Sequence, residues 1–253
     1  MNIPGDNSHP QASFYDVESS VYSEKRYADK AKTYVQYFFN RRLAIVLKAI
    51  TNRVSDSESS DRTNFTLIDI GCADGVMTRK IAEAFPVFSM LVGTDISVPM
   101  IEKACKLTHD PRISFFVKSS SLVADASHQK FDIALGLGYL TSAIFAEETD
   151  FVRGHLVPGG LYLCSFAAKG SLRARLKLKG QPYFKDYLSY AEYRSMLAEC
   201  FEIIDEIPYG LFIPKLWAMP SLGRAIQPIV DAVFARIVPS LFHEKIYILR
   251  LKP

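Results

Sequence analysis

The run Phe65-Thr66-Leu67-Ile68-Asp69-Ile70-Gly71-Cys72-Ala73-Asp74-Gly75-Val76-Met77-Thr78-Arg79-Lys80-Ile81-Ala82-Glu83-Ala84-Phe85 changes its period halfway along. Phe65 to Ile70 are mainly apolar or β-branched and read as a strand. Gly71 to Gly75 are small and turn-forming. A helical pattern starts at once, with Val76, Ile81, Ala84 and Phe85 as its expected buried stripe. Glycine tolerates positive φ and lets backbone approach a ligand closely. A strand, a tight turn and a helix in this order aim amide groups and a positive dipole end into one crevice. The dinucleotide fingerprint G-x-G-x-x-G needs glycine at 71, 73 and 76, where the chain has Gly71, Ala73 and Val76.

The spacing that is present, Asp69-x-Gly71-x-Ala73-x-Gly75, resembles the first motif of the class I S-adenosylmethionine (SAM)-dependent methyltransferases, (D/E)-x-G-x-G-x-G. Ala73 replaces the middle glycine, and a methyl group is the smallest intrusion into such a turn. Further features follow in order. Val87 to Ile96 reads as a second strand with Asp95 at its end, 24 residues after Gly71. The resemblance gives that acid the cofactor's ribose hydroxyls, a role an acid also plays in nicotinamide-binding folds. Ser97 is a helix cap, with Met100, Ile101 and Ala104 facing inward. Ile113 to Lys118 is a third strand, followed by Ser119-Ser120-Ser121, where the family commonly has an aspartate for the adenine amino group.

Phe131-Asp132-Ile133-Ala134-Leu135-Gly136-Leu137-Gly138-Tyr139 resembles the family's fourth motif, whose loop borders the methyl group. The (N/D)-P-P-(Y/F) of enzymes that methylate nucleobase amines is replaced by Gly136-Leu137-Gly138-Tyr139, which argues against base modification. A helix from Ala143 leads to Leu156-Val157-Pro158-Gly159-Gly160, similar to the family's turn before the fifth strand. Ser189-x-x-Glu192 is a capping box, and Phe201 to Ile207 resembles the sixth strand, with Cys200 where glycine is usual. The resemblance covers about residues 65 to 207 and the terminal strand, Glu244 to Leu251.

It implies an α/β fold: a Rossmann-like seven-stranded sheet of order 3-2-1-4-5-7-6, the last strand antiparallel, with helices on both faces. The cofactor implied is SAM, held by Asp69, Gly71, Cys72, Ala73, Asp74, Gly75, Asp95, Ile96, Met100, Ser119, Ser120 and Gly136. Tyr22 and Tyr139 are the expected acceptor contacts, with Tyr15 and Tyr27 beside Tyr22 in an N-terminal lid. No metal is expected. No catalytic residue is assigned; His109, His128, His155 and His243 qualify by type only, and His155 reads as structural.

One domain over residues 1–253 is expected. Residues 1–22 are a tail, 23–60 an N-terminal helical segment, 65–207 the cofactor-binding core, 208–243 an insertion and 244–253 the final strand. Ser23 to Thr51 carries a helical pattern, as one helix or two, and Val54 to Asn64 reads as a loop. Ser171 to Lys179 alternates apolar and basic residues with period two, as a solvated flap or hairpin arm. In the insertion, Ile226, Ile229, Val230, Val233, Phe234, Ile237 and Val238 share one helix face. Core packing is the default for such a stripe, and a cap over the acceptor is the rival.

The net charge of +3 is too small to argue for nucleic acid on its own. Cys72, Cys105, Cys164 and Cys200 are far apart and read as reduced thiols. Met1 to Ser13 is polar, without the apolar segment of a secretion signal. The longest uncharged run, Ile133 to Ala146, is too short to span a bilayer. A cytoplasmic protein is expected, with the basic arm or the cap as the place for any peripheral membrane contact. The activity expected is methyl transfer to an oxygen or nitrogen of a small hydrophobic or aromatic metabolite. A nucleic-acid or protein methyltransferase and a non-catalytic SAM-binding subunit are the rivals.

Overall fold

A computed structural model of the chain describes residues 21–58, 64–117, 129–138, 142–176 and 188–252. Seven strands build one sheet: β1 Phe65–Ile70, β2 Phe88–Asp95, β3 Ile113–Val117, β4 Phe131–Leu137, β5 Leu156–Ala167, β6 Phe201–Tyr209 and β7 Glu244–Leu251. Their order is β3-β2-β1-β4-β5-β7-β6, as the motifs imply. β7 runs antiparallel to β5 and β6, and the remaining pairs are parallel. β1 reads as a nearly continuous apolar run because both of its faces are covered, as in parallel sheets generally. Phe65 and Leu67 enter one core with Val46, Ile50 and Ile81; Ile68 and Ile70 enter the other with Phe145, Tyr193 and Phe201. The strand order reverses between β1 and β4, which opens a crevice at the carboxyl ends of these strands.

The helices are α1 Tyr22–Arg26, α2 Tyr34–Glu58, α3 Val76–Ala84, α4 Val98–Lys106, α5 Ser142–His155, α6 Leu172–Arg175, α7 Tyr190–Cys200 and α8 Pro220–Ile237. The caps on α4 and α7 form as expected: Ser97 accepts from the Met100 amide, and Ser189 and Glu192 complete a reciprocal box. All four cysteines are free. No helix among the described residues is long and apolar enough to cross a membrane.

Several boundaries differ from expectation, each for a local reason. Val54 to Glu58 are helical, not loop, because Val54 extends the buried stripe of Val46 and Ile50 by one more turn. The N-terminal pattern is two helices, one of the two readings expected, with Tyr27 extended between them. On α3, Met77, Thr78 and Ala82 are buried with Val76 and Ile81, while Ala84 is exposed. Leu156 already pairs with Phe131, and Ile133 pairs with Leu161, so Val157 to Gly160 bulge out of β5 with Gly159 at φ +72°. Ser171 caps the Ala174 amide, which turns the start of the expected arm into α6; Lys177 and Lys179 lie outside the described residues.

The largest departure is α8. Its apolar stripe does not face the core: Ile226, Ile229, Val233, Phe234 and Ile237 are exposed, and the buried residues are Gly223, Gln227 and Asp231. Asp231 accepts from Tyr37 Oη (2.8 Å), the Gly210 amide (3.0 Å), the Leu211 amide (3.0 Å) and Gln227 Nε2 (3.0 Å). Gln227 donates to the Leu211 carbonyl at 2.7 Å and accepts from Trp217 Nε1 at 3.2 Å. The chain leaving β6 has no strand partner for these amides, and buried backbone must be paired. The side chains that satisfy it are polar, so the polar face of α8 turns inward.

Candidate active site

Three residues between β1 and α3 take left-handed backbone: Gly71 (φ +74°), Ala73 (φ +50°) and Gly75 (φ +71°). For alanine this region costs about 1–2 kcal/mol. The turn is held there from β2. The Gly71 and Cys72 amides donate to the Thr94 carbonyl at 2.7 and 3.0 Å, and the Ala73 amide donates to Asp95 Oδ2 at 2.9 Å. Asp95 Oδ1 accepts from the Ser97 amide at 2.9 Å, so one carboxylate ties the two turns together. Gly75 has a further reason to be glycine: a Cβ there would lie 2.4 Å from the Phe115 ring, which also crosses Gly93. Its role is left-handed backbone and close packing against β3.

Two more carboxylates flank the turn. Asp69 is buried and accepts from Thr78 Oγ1 at 2.6 Å; burial first, and Asp95 after it, push its carboxyl up to about 7 despite that bond. Asp74 is wholly buried. Its Oδ2 accepts from Ser23 Oγ and lies 3.2 Å from Lys103 Nζ, while Oδ1 has no hydrogen-bond partner among the described residues. A buried carboxylate oxygen left unpaired is costly. Beside Asp95 it makes an acidic crevice suited to a ligand carrying positive charge and hydroxyl donors, as SAM does. The ligand that the motifs imply therefore fits the residues present. Burial raises the Cys72 thiol well above its ordinary value, with Asp69 and Asp95 adding to it.

Beyond β4 the carboxyl edge is built differently. Arg42 of α2 donates through Nε to Tyr209 Oη at 2.9 Å and through Nη2 to both oxygens of Glu244 at 2.8 Å. The Ser165 and Tyr209 hydroxyls donate to the same Glu244. Burial opposes the charge on Glu244, but Arg42, Ser165 and Tyr209 together hold its carboxyl below the usual range. Gly138, at φ +79°, lies under this cluster, and a Cβ there would stand 2.5 Å from Arg42 Nη2. His243 is buried against Phe38; burial, followed by Arg173, pushes it down to about 4, so it stays neutral.

Of the residues singled out from sequence, Asp69, Gly71 to Gly75 and Asp95 converge on the crevice, and Gly136 lies at its edge, paired with Ile70. Ile96 is exposed beside Asp95. Met100 is fully buried on α4. Tyr22 stacks under Arg26 at 4.0 Å, next to the Ser23 that reaches Asp74. Tyr27 is half-buried, edge-on against the Phe39 ring at 5.6 Å. His155 bonds the Phe151 carbonyl at 2.7 Å and stacks on its ring, a structural role. Tyr15, Ser119, Ser120, His128 and Tyr139 lie outside the described residues. Arg42, Ser165, Tyr209 and Glu244 escaped sequence reasoning. An arginine in the pair Arg41-Arg42 reads as solvated helix surface, and Glu244 as the polar start of a strand; the serine at 165 inside an apolar strand was the only signal.

Residues 68–162 match the family model of a methyltransferase domain. Solved structures similar to the whole chain include the N-methyltransferase NodS of Bradyrhizobium japonicum WM9 with S-adenosylhomocysteine (SAH), at 16% identity and a TM-score of 0.63 over 97% of this chain and 100% of that one. Magnesium protoporphyrin IX methyltransferase of Synechocystis PCC 6803, also with SAH, has 14% identity and a TM-score of 0.63 over 96% and 98%. The cyclase SpnF has 15% identity and a TM-score of 0.62 over 96% and 95%, a reminder that fold alone does not fix the reaction. The match marks a methyltransferase domain over residues 68–162, and the strand order around it is the Rossmann-like fold shared with these solved structures.

Proposed function

We propose that the protein transfers the methyl group of SAM to an oxygen or nitrogen of a small apolar or aromatic acceptor, and that residues 1–253 work as one domain. The observation that carries this reading is the meeting of both chain ends at Gly138, where Arg42 of α2 and Glu244 of β7 close over the end of β4. Asp95 is assigned the ribose hydroxyls, Asp74 Oδ1 the amino group of the methionyl part, and Gly71 to Gly75 the close backbone approach. Ile96 and Gly136 border the same ligand in this reading, and Ser119 and Ser120 keep their expected adenine role. When bound, SAM supplies a methyl group already activated by its positively charged sulfur.

The chain's own residues then have to align and to exclude water. Fixed alignment of two reactants removes roughly 7–11 kcal/mol from a barrier. Ser23 and Tyr27 cover the acidic turn from the N-terminal side. Phe38, Phe39 and Tyr209 surround the Arg42 guanidinium and leave the acceptor side apolar, with a few fixed polar groups. Tyr22 and Tyr139 are assigned to the acceptor. A general base is required only where the acceptor loses its proton early.

The test is incubation with methyl-labelled SAM and a metabolite extract. Label should appear in a small apolar product; label confined to protein or nucleic acid, or no transfer from any fraction, contradicts the reading. Replacing residues 214–239 by a short linker should abolish transfer and keep SAH affinity within about tenfold, or 1.4 kcal/mol.

A further inference from the structure

The outer face of α8 has no function in the site just described. Leu222, Ile226, Ile229, Val233 and Ile237 follow one another at helical spacing along it, and Ile229 and Ile237 are 64% and 67% exposed. Met219, at the N-terminal end of the helix, is exposed too. The inward face is fixed by the four hydrogen bonds to Asp231 and by Gly223, where a Cβ would lie 2.7 Å from the Trp217 ring. The helix therefore cannot roll to bury its stripe without breaking that network. A contiguous apolar patch of this kind marks an interaction surface.

Charge says what covers it. Between Pro208 and Phe242 the charged residues are Lys215, Arg224, Asp231 and Arg236, and the single acid is buried in its network. Within this segment the charges left outside the buried network are thus cationic. Ser240, just past the helix, adjoins Gly170 at the entry to α6, which brings exposed Arg175 to the same end. A second copy fits poorly: it would bring the same cations to the seam. A helix of 18 residues is also only about 27 Å long, too small a face for the ~800 Å² per partner of a stable interface. An anionic bilayer fits both features, since an interfacial helix buries its apolar face at the headgroup boundary and its basic rim meets lipid charge.

We propose that α8 docks the protein on anionic membrane surfaces, lying flat with Leu222, Ile226, Ile229, Val233 and Ile237 in the lipid. Docking requires nothing of the acceptor's identity and is testable apart from methyl transfer. The full-length chain is sedimented with vesicles of phosphatidylcholine alone or mixed with phosphatidylglycerol, at low and high salt. Expected is partition at least about tenfold stronger on the mixed vesicles, weakened by salt as the charges are screened. Ile229→Asp with Val233→Asp should lose that partition while SAH affinity stays unchanged, which reports an intact fold. Arg236→Glu should weaken binding to the mixed vesicles only. Wild-type protein remaining in the supernatant, or partition indifferent to the double substitution, overturns the proposal. So does a concentration-dependent dimer that the double substitution dissociates in the absence of vesicle binding.

Discussion

The two sides of the sheet's carboxyl edge handle buried charge in opposite ways. On the β1–β2 side, Asp69, Asp74 and Asp95 gather with the partly exposed Lys103 as the ion partner of Asp74, and one carboxylate oxygen lacks a hydrogen-bond partner among the described residues. On the β5–β7 side, Glu244 is matched by the Arg42 guanidinium and two hydroxyls. Charge that is compensated within the chain serves the fold. A buried carboxylate oxygen left over is a place for a ligand's donor, and Asp74, which carries it, lies within the acid-x-Gly-x-Ala-x-Gly turn.

Removing one partner from the compensated side should have the largest effect. Arg42→Met leaves Glu244 buried without its counter-ion and should cost about 3–5 kcal/mol of stability in denaturant unfolding. The double variant with Glu244→Gln should regain much of it. A cost below about 1 kcal/mol for the single variant would erase the contrast. Asp231→Ala strips the Gly210 and Leu211 amides of their acceptor, with an expected loss of about 1–3 kcal/mol. It should leave SAH affinity within about tenfold, because α8 belongs to the compensated side.

On the acidic side the cost should fall on the ligand. Asp95→Ala should weaken SAH binding by about 1–3 kcal/mol. The bonds from the Ala73 and Ser97 amides add that it also lowers the melting temperature, so it is less innocent toward the fold than its place at a strand end suggests. Undiminished SAH affinity would remove Asp95 from the site.

The last effect is on pH dependence. The Asp69 carboxyl rises from an ordinary 3.8 to about 7 on folding, so within that window the native state holds a proton that the unfolded chain has released. Stability should then fall as pH rises from about 4 to about 7 and level off above. Asp69→Asn should flatten this part of a melting-temperature profile, and an unchanged slope would mean that Asp69 is ionised throughout.

What was legible in the sequence was whatever a short local pattern encodes. Phe65 to Gly75 states its strand and turn in eleven consecutive residues, and the strand order came from the family resemblance that the motifs at Asp95, Gly136 and Pro158 carry. Glu244 and Arg42 lie far apart in the chain, and no periodicity joins them; their pairing is a property of the folded sheet edge. α8 misled for a related reason. Its hydrophobic spacing is sound, but spacing reports a stripe and not which way it points. The direction was set by the Gly210 and Leu211 amides, left without strand partners and accepted by Asp231, and by the Leu211 carbonyl, to which Gln227 donates.

The acidic turn at the β1–β2 crevice, and SAM as the ligand it serves, are tested most directly by titration calorimetry of the purified chain with SAH and with NAD. One SAH per chain, bound more tightly than NAD and weakened by Asp95→Ala, is the predicted result. NAD binding more tightly than SAH, or no SAH binding by a folded protein, would contradict it.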